Sequence, residues 1–229
     1  MEEGAILLVG VGGIGCNWSS KAHESSHELA DLLLVDSEES SFSTAIEAHC
    51  LHLDANGNGR GSAALPNLAA HRLREGASGI SPLLAKSELV IILTALGGGT
   101  GSGASAEIAS RAKKTGSIVI SIVGIPFVEQ PLRSAIAEMS LPTLEKNSDL
   151  CIRVSLERLA WQARQRNSDW KLGSEWISEL IEGLVATLAR VGKMNLDLMD
   201  LRTIVKRPGN ATLIVGNGTT DDPDELVRI

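Results

Sequence analysis

Two glycine-rich runs carry the clearest chemistry in this 229-residue chain. Gly10-Val11-Gly12-Gly13-Ile14-Gly15-Cys16-Asn17 follows a short aliphatic run and opens a stretch of helical character. Glycines at a strand–helix turn let the backbone close on a phosphate, and the helix start offers unpaired N–H groups and positive potential. The run matches G-x-G-x-x-G, and Asp36 stands about twenty residues further on, at the end of the next aliphatic run, so dinucleotide binding remains open. Gly97-Gly98-Gly99-Thr100-Gly101-Ser102-Gly103 repeats the arrangement after the aliphatic run at 89–93. Each glycine in a packed element costs about 1 kcal/mol relative to alanine, so such a run is expected where successive N–H groups wrap an anion. Thr100 and Ser102 add hydroxyls for phosphate oxygens or for water around Mg²⁺.

Something must hold those turns in place. Apolar runs at 5–9, 32–35, 89–93, 118–123 and 150–154 lack alternation, as strands covered on both faces do. Helical stretches at 17–30, 65–75, 104–114 and 132–146 fall between them, the last with Pro142 expected to kink or split it. The alternation predicts an α/β fold with a doubly wound, mainly parallel sheet that binds ligands at the carboxyl ends of its strands. A polar stretch at 162–169 is expected to be a loop or frayed helix. Trp176, Ile177, Leu180, Ile181, Leu184, Val185 and Leu188 then make one broad apolar stripe on a long helix over 175–190. A short apolar segment at 201–205 and a strand at 212–215 follow. Three units result: 1–172 for nucleotide binding, 173–192 for the long helix, and 193–229 beyond it.

Gly-Gly-Gly-Thr-Gly-Ser-Gly resembles the signature loop of the tubulin/FtsZ superfamily. The first run is similar to the FtsZ form Gly-Val-Gly-Gly-x-Gly-x-Asn, with Asn17 in place, although Gly-Gly-Ile-Gly-Cys also resembles the loop of ubiquitin-activating enzymes. Neither that family nor the dinucleotide binders use a second glycine heptad. The resemblance implies a Rossmann-like GTPase domain that holds GTP or GDP, with Mg²⁺ kept by phosphates and water and no metal ligand assigned to a side chain. It implies phosphate contacts at Gly12, Gly13, Ile14, Gly15, Cys16, Asn17, Gly97, Gly98, Gly99, Thr100, Gly101 and Ser102. Pro126-Phe127-Val128-Glu129 with Arg133 is similar to the segment that faces ribose and phosphates, so Glu129 and Arg133 are expected there, on one helical face. Asn195-Leu196-Asp197-Leu198-Met199-Asp200 resembles the catalytic loop that enters the neighbouring subunit's site. Asn195, Asp197 and Asp200 would there orient the attacking water.

Some positions depart from the family. Leu156 stands where an asparagine reads guanine, and Ser62-Ala63-Ala64-Leu65 lacks the asparagine before Pro66. Trp170 supplies the expected ring beside the base, while Ser174 and Glu175 replace an Asn-Asp pair. FtsZ chains also continue into a second α/β domain, of which only a remnant is expected here. The resemblance implies head-to-tail self-association or, alternatively, a non-polymerising partnership with a full-length relative. Hydrophobic residues make up 43% of the chain and charged residues 21%, as in ordinary globular proteins. A net charge of -7 argues against a nucleic-acid-binding face. No apolar run approaches the roughly 20 residues of a membrane span, and the acidic start lacks the basic head of a signal peptide, which predicts a cytoplasmic protein without membrane insertion. Cys16, Cys50 and Cys151 have no metal or disulfide spacing and read as reduced thiols.

Overall fold

The computed structural model describes residues 5–42, 47–54, 61–165, 167, 169, 171, 175–189 and 198–206. Five strands form at the five aliphatic runs: β1 (Ile6–Val11), β2 (Asp31–Asp36), β4 (Leu89–Ala95), β5 (Ile118–Ile125) and β6 (Leu150–Ser155), with β3 (His49–His52) between the second and third. All pair in parallel in the order β3-β2-β1-β4-β5-β6. This is the doubly wound α/β architecture that the alternation predicts.

Eight helices connect and flank the strands among the described residues: α1 (Gly12–Ser26), α2 (Pro66–Gly76), α3 (Ser81–Lys86), α4 (Gly99–Lys114), α5 (Pro131–Asn147), α6 (Leu156–Gln165), α7 (Glu175–Ala189) and α8 (Leu198–Val205). Alternate strand residues point to opposite faces. Leu8, Leu34, Ile91 and Ile120 pack with Trp18 of α1 and with Ile177, Ile181 and Val185 of α7. Leu7, Val9, Ile92 and Val119 pack with Leu73 of α2, Leu84 of α3, and Ala104, Ile108 and Ala112 of α4. The stripe read from 176–188 is thus a wall of the sheet's own core, and α7 belongs to the body that the strands form.

Several elements differ from the sequence expectation, each for a local reason. β3 is an edge strand of His-Cys-Leu-His, with His49 and Cys50 exposed, so it carries no aliphatic run. The polar stretch at 162–165 continues α6, which buries Leu156, Leu159, Ala160 and Ala163 at helical spacing. The apolar segment at 201–205 is the end of α8. Pro142 sits inside α5 without splitting it; Glu138, whose carbonyl loses its i+4 donor, is exposed to water. Most consequentially, α1 and α4 begin at Gly12 and Gly99, five residues before the expected starts at 17 and 104, so the glycine runs form helical turns. The segment at 212–215 lies outside the described residues.

His23 anchors the end of α1, with its Nε2 3.0 Å from the Ala30 carbonyl oxygen. Burial holds its pKa below the ordinary value, against the opposing effect of that hydrogen bond. The folded state therefore binds fewer protons here than the unfolded chain, and stability is lost as pH falls below the unfolded value of about 6.5. Urea midpoints at about pH 7.5 and 5.5 should fall further for the unaltered chain than for His23→Gln, whose ring no longer titrates.

Candidate functional site

The carboxyl ends of β1, β2, β4 and β5 open into a cavity of about 640 Å³, within the usual range for small-molecule sites. It lies where β1 and β4 adjoin and the chain turns to opposite faces of the sheet, the place where doubly wound sheets take ligands. Gly12, Gly13, Ile14 and Asn17 line one wall, and Gly98, Gly99, Thr100 and Gly101 the other. Both walls are helix N-termini. The N-cap residues Val11 and Gly98 make no side-chain capping bond, and neither first turn carries an acidic residue. Two uncapped, uncompensated positive helix ends therefore face one space, an arrangement that favours an anion with several acceptor oxygens.

The packing explains why so many glycines are tolerated inside a helix. A Cβ at Gly103 would stand 1.9 Å from the carbonyl oxygen of Pro66, so α2 crosses α4 at backbone contact. The second run is as much a packing surface as an anion cradle. Gly98 is its opposite, with nothing within 4 Å of the place a Cβ would take.

Within the two runs the side chains divide sharply. Gly15 lies under the Leu93 carbonyl, and the Cys16 thiol points inward to the carbonyl oxygens of Gly10 at 3.6 Å and Val35 at 3.8 Å. Burial, with help from the Asp36 carboxylate, pushes the Cys16 pKa well up and keeps the thiol protonated. Neither residue presents a side chain to the cavity. The Ser102 hydroxyl also turns away, accepting from the Gly97 N–H at 2.9 Å and so closing the turn before α4. Ser102, expected at the phosphates, is not among the residues lining this cavity. Gly97 takes φ +96° and packs under Arg133.

Arg133 reaches the cavity, but Glu129 does not line it. Glu129 lies in the turn before α5, whose N-cap is Gln130, so the four-residue helical spacing does not apply. It lines a neighbouring cavity of about 570 Å³ with Glu157, Arg158 and Trp161, and Phe127 is the wall between the two. Gln130 takes the place on the cavity wall. Ser37, Glu38 and Lys171 are further site residues that the motifs did not single out; Glu38 and Lys171 line the cavity directly. The position of Ser37 and Glu38, just past the end of β2, was the available signal. Pro126, Phe127 and Leu156 make the far wall apolar, as suits a planar ring.

Asp200 is exposed on the first turn of α8 and is not among the cavity residues. Asn195 and Asp197 lie outside the described residues, as do Trp170 and Ser174; Glu175 begins α7, and its side chain is not described. Among the described residues, no three His, Cys, Asp or Glu side chains group as metal ligands. Asp36, Glu38 and Thr100 nevertheless give one side of the cavity an all-oxygen character that fits a hydrated magnesium ion.

The sequence profile of the tubulin/FtsZ family GTPase domain matches residues 5–162, both glycine runs included. The chain belongs to the tubulin/FtsZ family. Its similar relatives include cell division protein FtsZ 1 of Archaeoglobus fulgidus, 28% identical over 221 residues, covering 95% of this chain and 60% of the relative. FtsZ 1 of Pyrococcus abyssi is 29% identical, covering 94% and 59%. The chain thus spans about 60% of the length of these relatives. Among solved structures, the empty FtsZ dimer of M. jannaschii superposes with a TM-score of 0.77 at 25% identity, over 87% of this chain and 60% of that one. The GTPgS-bound CetZ2 protofilament of Haloferax volcanii shares the fold, with a TM-score of 0.69 at 20% identity over 82% and 60%.

Gly103→Ala should force α2 and α4 apart and lower stability by about 1–3 kcal/mol, measured by chemical denaturation. Gly98→Ala, with space for its methyl group, should cost about 1 kcal/mol or less, the difference between glycine and alanine at an N-cap.

Proposed function

We propose that the chain holds GTP or GDP in this cavity and hydrolyses GTP when a second subunit supplies Asp200. The observation that carries this reading is the position of α8. Arg202 of α8 donates through Nη2 to the carbonyl oxygen of Gly116 at 3.0 Å, just before the start of β5. The cavity lies at the other end of that strand. Helix α7, beginning four residues after cavity-lining Lys171, spans about 22 Å toward that opposite end. Asp200 therefore stands a domain's thickness from its own cavity and meets nucleotide only on a neighbour.

The exposed apolar side chains support the same geometry. Leu65, Val128, Leu132 and Trp161 are exposed on elements around the cavity end, and Met199 and Ile204 on α8. A contact that joins two different surfaces repeats into an open chain of subunits. In such a contact the N–H groups of Gly12, Gly13, Gly98 and Gly99 would bind the phosphates, with Arg133 and Lys171 neutralising charge. Asp200, with Asn195 and Asp197, would orient the water. Its oxygen bonds to the γ-phosphorus as the bond to the β–γ bridging oxygen breaks, releasing GDP and phosphate. Magnesium, held by the phosphates and its waters beside Asp36, Glu38 and Thr100, would supply charge neutralisation. The names of the relatives, cell division protein FtsZ 1, support a role in division or a related cytoskeletal process, and no described helix is long and apolar enough to cross a membrane.

Phosphate release from GTP should rise more steeply than linearly with protein concentration and exceed release from ATP. Asp200→Ala should cut it about 100-fold or more while leaving nucleotide binding intact. Tight GTP binding with turnover proportional to concentration would sink the shared site and favour a non-polymerising partner of a full-length relative.

A further inference from the structure

Three buried hydroxyls from three separate segments meet at the edge of the cavity. Ser37, just past β2, and Ser62, before α2, stand 2.6 Å apart; the Thr100 hydroxyl of α4 is 3.1 Å from the first and 3.0 Å from the second. Of the three, Thr100 lines the cavity. Each hydroxyl has one proton and two lone pairs. Three protons satisfy three contacts only when they circulate in one direction, each oxygen donating once and accepting once. The closed ring leaves every proton engaged. What Thr100 then offers the cavity is a lone pair.

We infer that Ser37 and Ser62 are positioning residues that set the polarity of the Thr100 hydroxyl, turning it from a donor toward phosphate oxygen into an acceptor for a water carried by a nucleotide-bound magnesium ion. The inference rests on the nucleotide reading of the cavity. The surroundings have the matching sign. Glu38 and Asp36 line the same side, and the Glu38 Oε1 and Ser37 Cβ each lie 3.9 Å from the point where a Cβ on Gly61 would stand. Donors serve the phosphates from the other groups: the two helix N-termini, Arg133 and Lys171. The Thr100 lone pair adds a neutral acceptor beside the two carboxylates on the cation side.

The ring also ties down a strained turn. Ala63 and Ala64 take φ +46° and +56°, a left-handed conformation that costs an L-residue about 1–2 kcal/mol. The turn is held by the Ser62 hydroxyl, and by Arg72, whose Nη1 donates to the Gly61 carbonyl at 2.9 Å while Nη2 pairs with Asp54 at 2.9 Å. Ser62 is thus held in place before any ligand arrives, which makes the closed ring a built-in property of the site; either direction of circulation leaves Thr100 a lone pair.

The test is the affinity for a fluorescent GTP analogue measured with magnesium and with a chelator. For the unaltered chain, magnesium should tighten binding by about tenfold, the worth of one charge-assisted hydrogen bond. Ser62→Ala opens the ring and frees a proton to turn toward the phosphates. Affinity without metal should hold or rise, and the gain on adding magnesium should shrink to about twofold or less. Ser62→Thr, which restores a hydroxyl, should recover the gain. Thr100→Val should lose it too, which keeps the test open if Ser62→Ala fails to fold. Equal weakening of both affinities would make Ser62 a structural tie and overturn the inference, as would an unchanged magnesium gain. If the unaltered chain binds neither GTP nor GDP under either condition, the nucleotide reading falls, and this inference with it.

Discussion

The site depends on one hydroxyl and the close approach that it secures. Thr94, fully buried near the end of β4, donates to the Val11 carbonyl oxygen at 3.1 Å and shares its proton with that of Gly101 at 3.3 Å. It joins the turn after β1 to the first turn of α4. A Cβ on Gly12 would lie 3.3 Å from the Gly101 nitrogen, and one on Gly101 would lie 2.3 Å from the Ala95 carbonyl oxygen. Side chains at these positions would separate the walls. Because β1 and β4 are neighbours whose helices leave toward opposite faces, the two helix starts converge where the chains part. The anion site follows from this contact with no charged side chain needed to create it.

That architecture was legible in the sequence to the extent that it is written in local pattern. Unbroken aliphatic runs such as Leu89-Val90-Ile91-Ile92-Leu93 can be little else than covered parallel strands. The glycine runs were legible as a pair of turns at the strand ends, where both line one cavity, but less so as structure. Their low helix propensity pointed to loops, and packing overrode it: helix turns form at Gly99, Gly101 and Gly103 because α2, β4 and the turn at Ser62 approach the backbone itself. Which hydroxyl faces the cavity was beyond the motif. Thr100 and Ser102 look equivalent in sequence, yet one lines the cavity and the other closes a turn. That difference arises from a two-residue rotation about a helix axis, about 200°. Glu129 and Arg133 separate for a similar reason, one lying before the helix and the other within its first turn.

The departures from the family pattern also acquire a physical setting. Leu156, where the family has an asparagine, is buried and lines the apolar wall; its Cδ2 would be 2.9 Å from a Cβ on Gly124, and Trp18 backs the same spot. An amide there would need partners that this packing does not offer, whereas leucine completes the wall with Phe127 and Pro126. A ring seated against such a wall gains contact area without directional readout. Discrimination between bases would therefore rest on the polar groups around it, including Asn17, Gln130 and Lys171.

The two ends of the body are chemically unlike, and this shapes what one chain can do. The cavity end has the two glycine-lined helix starts and most of the exposed large apolar side chains; the α8 end has a carboxylate between Met199 and Ile204. Binding requires only the first. It is a property of the single folded body, set by backbone positions that the sheet and Thr94 fix. Hydrolysis as proposed would require both, and α7, a helix about 22 Å long packed on the core, lies between them. No side-chain rotation spans a helix of that length, so in the proposed shared site the chemistry would await a second molecule. In that proposal, covering Met199 and Ile204 and presenting Asp200 would be one event, and the apolar burial that favours association would also deliver the group proposed to consume the nucleotide.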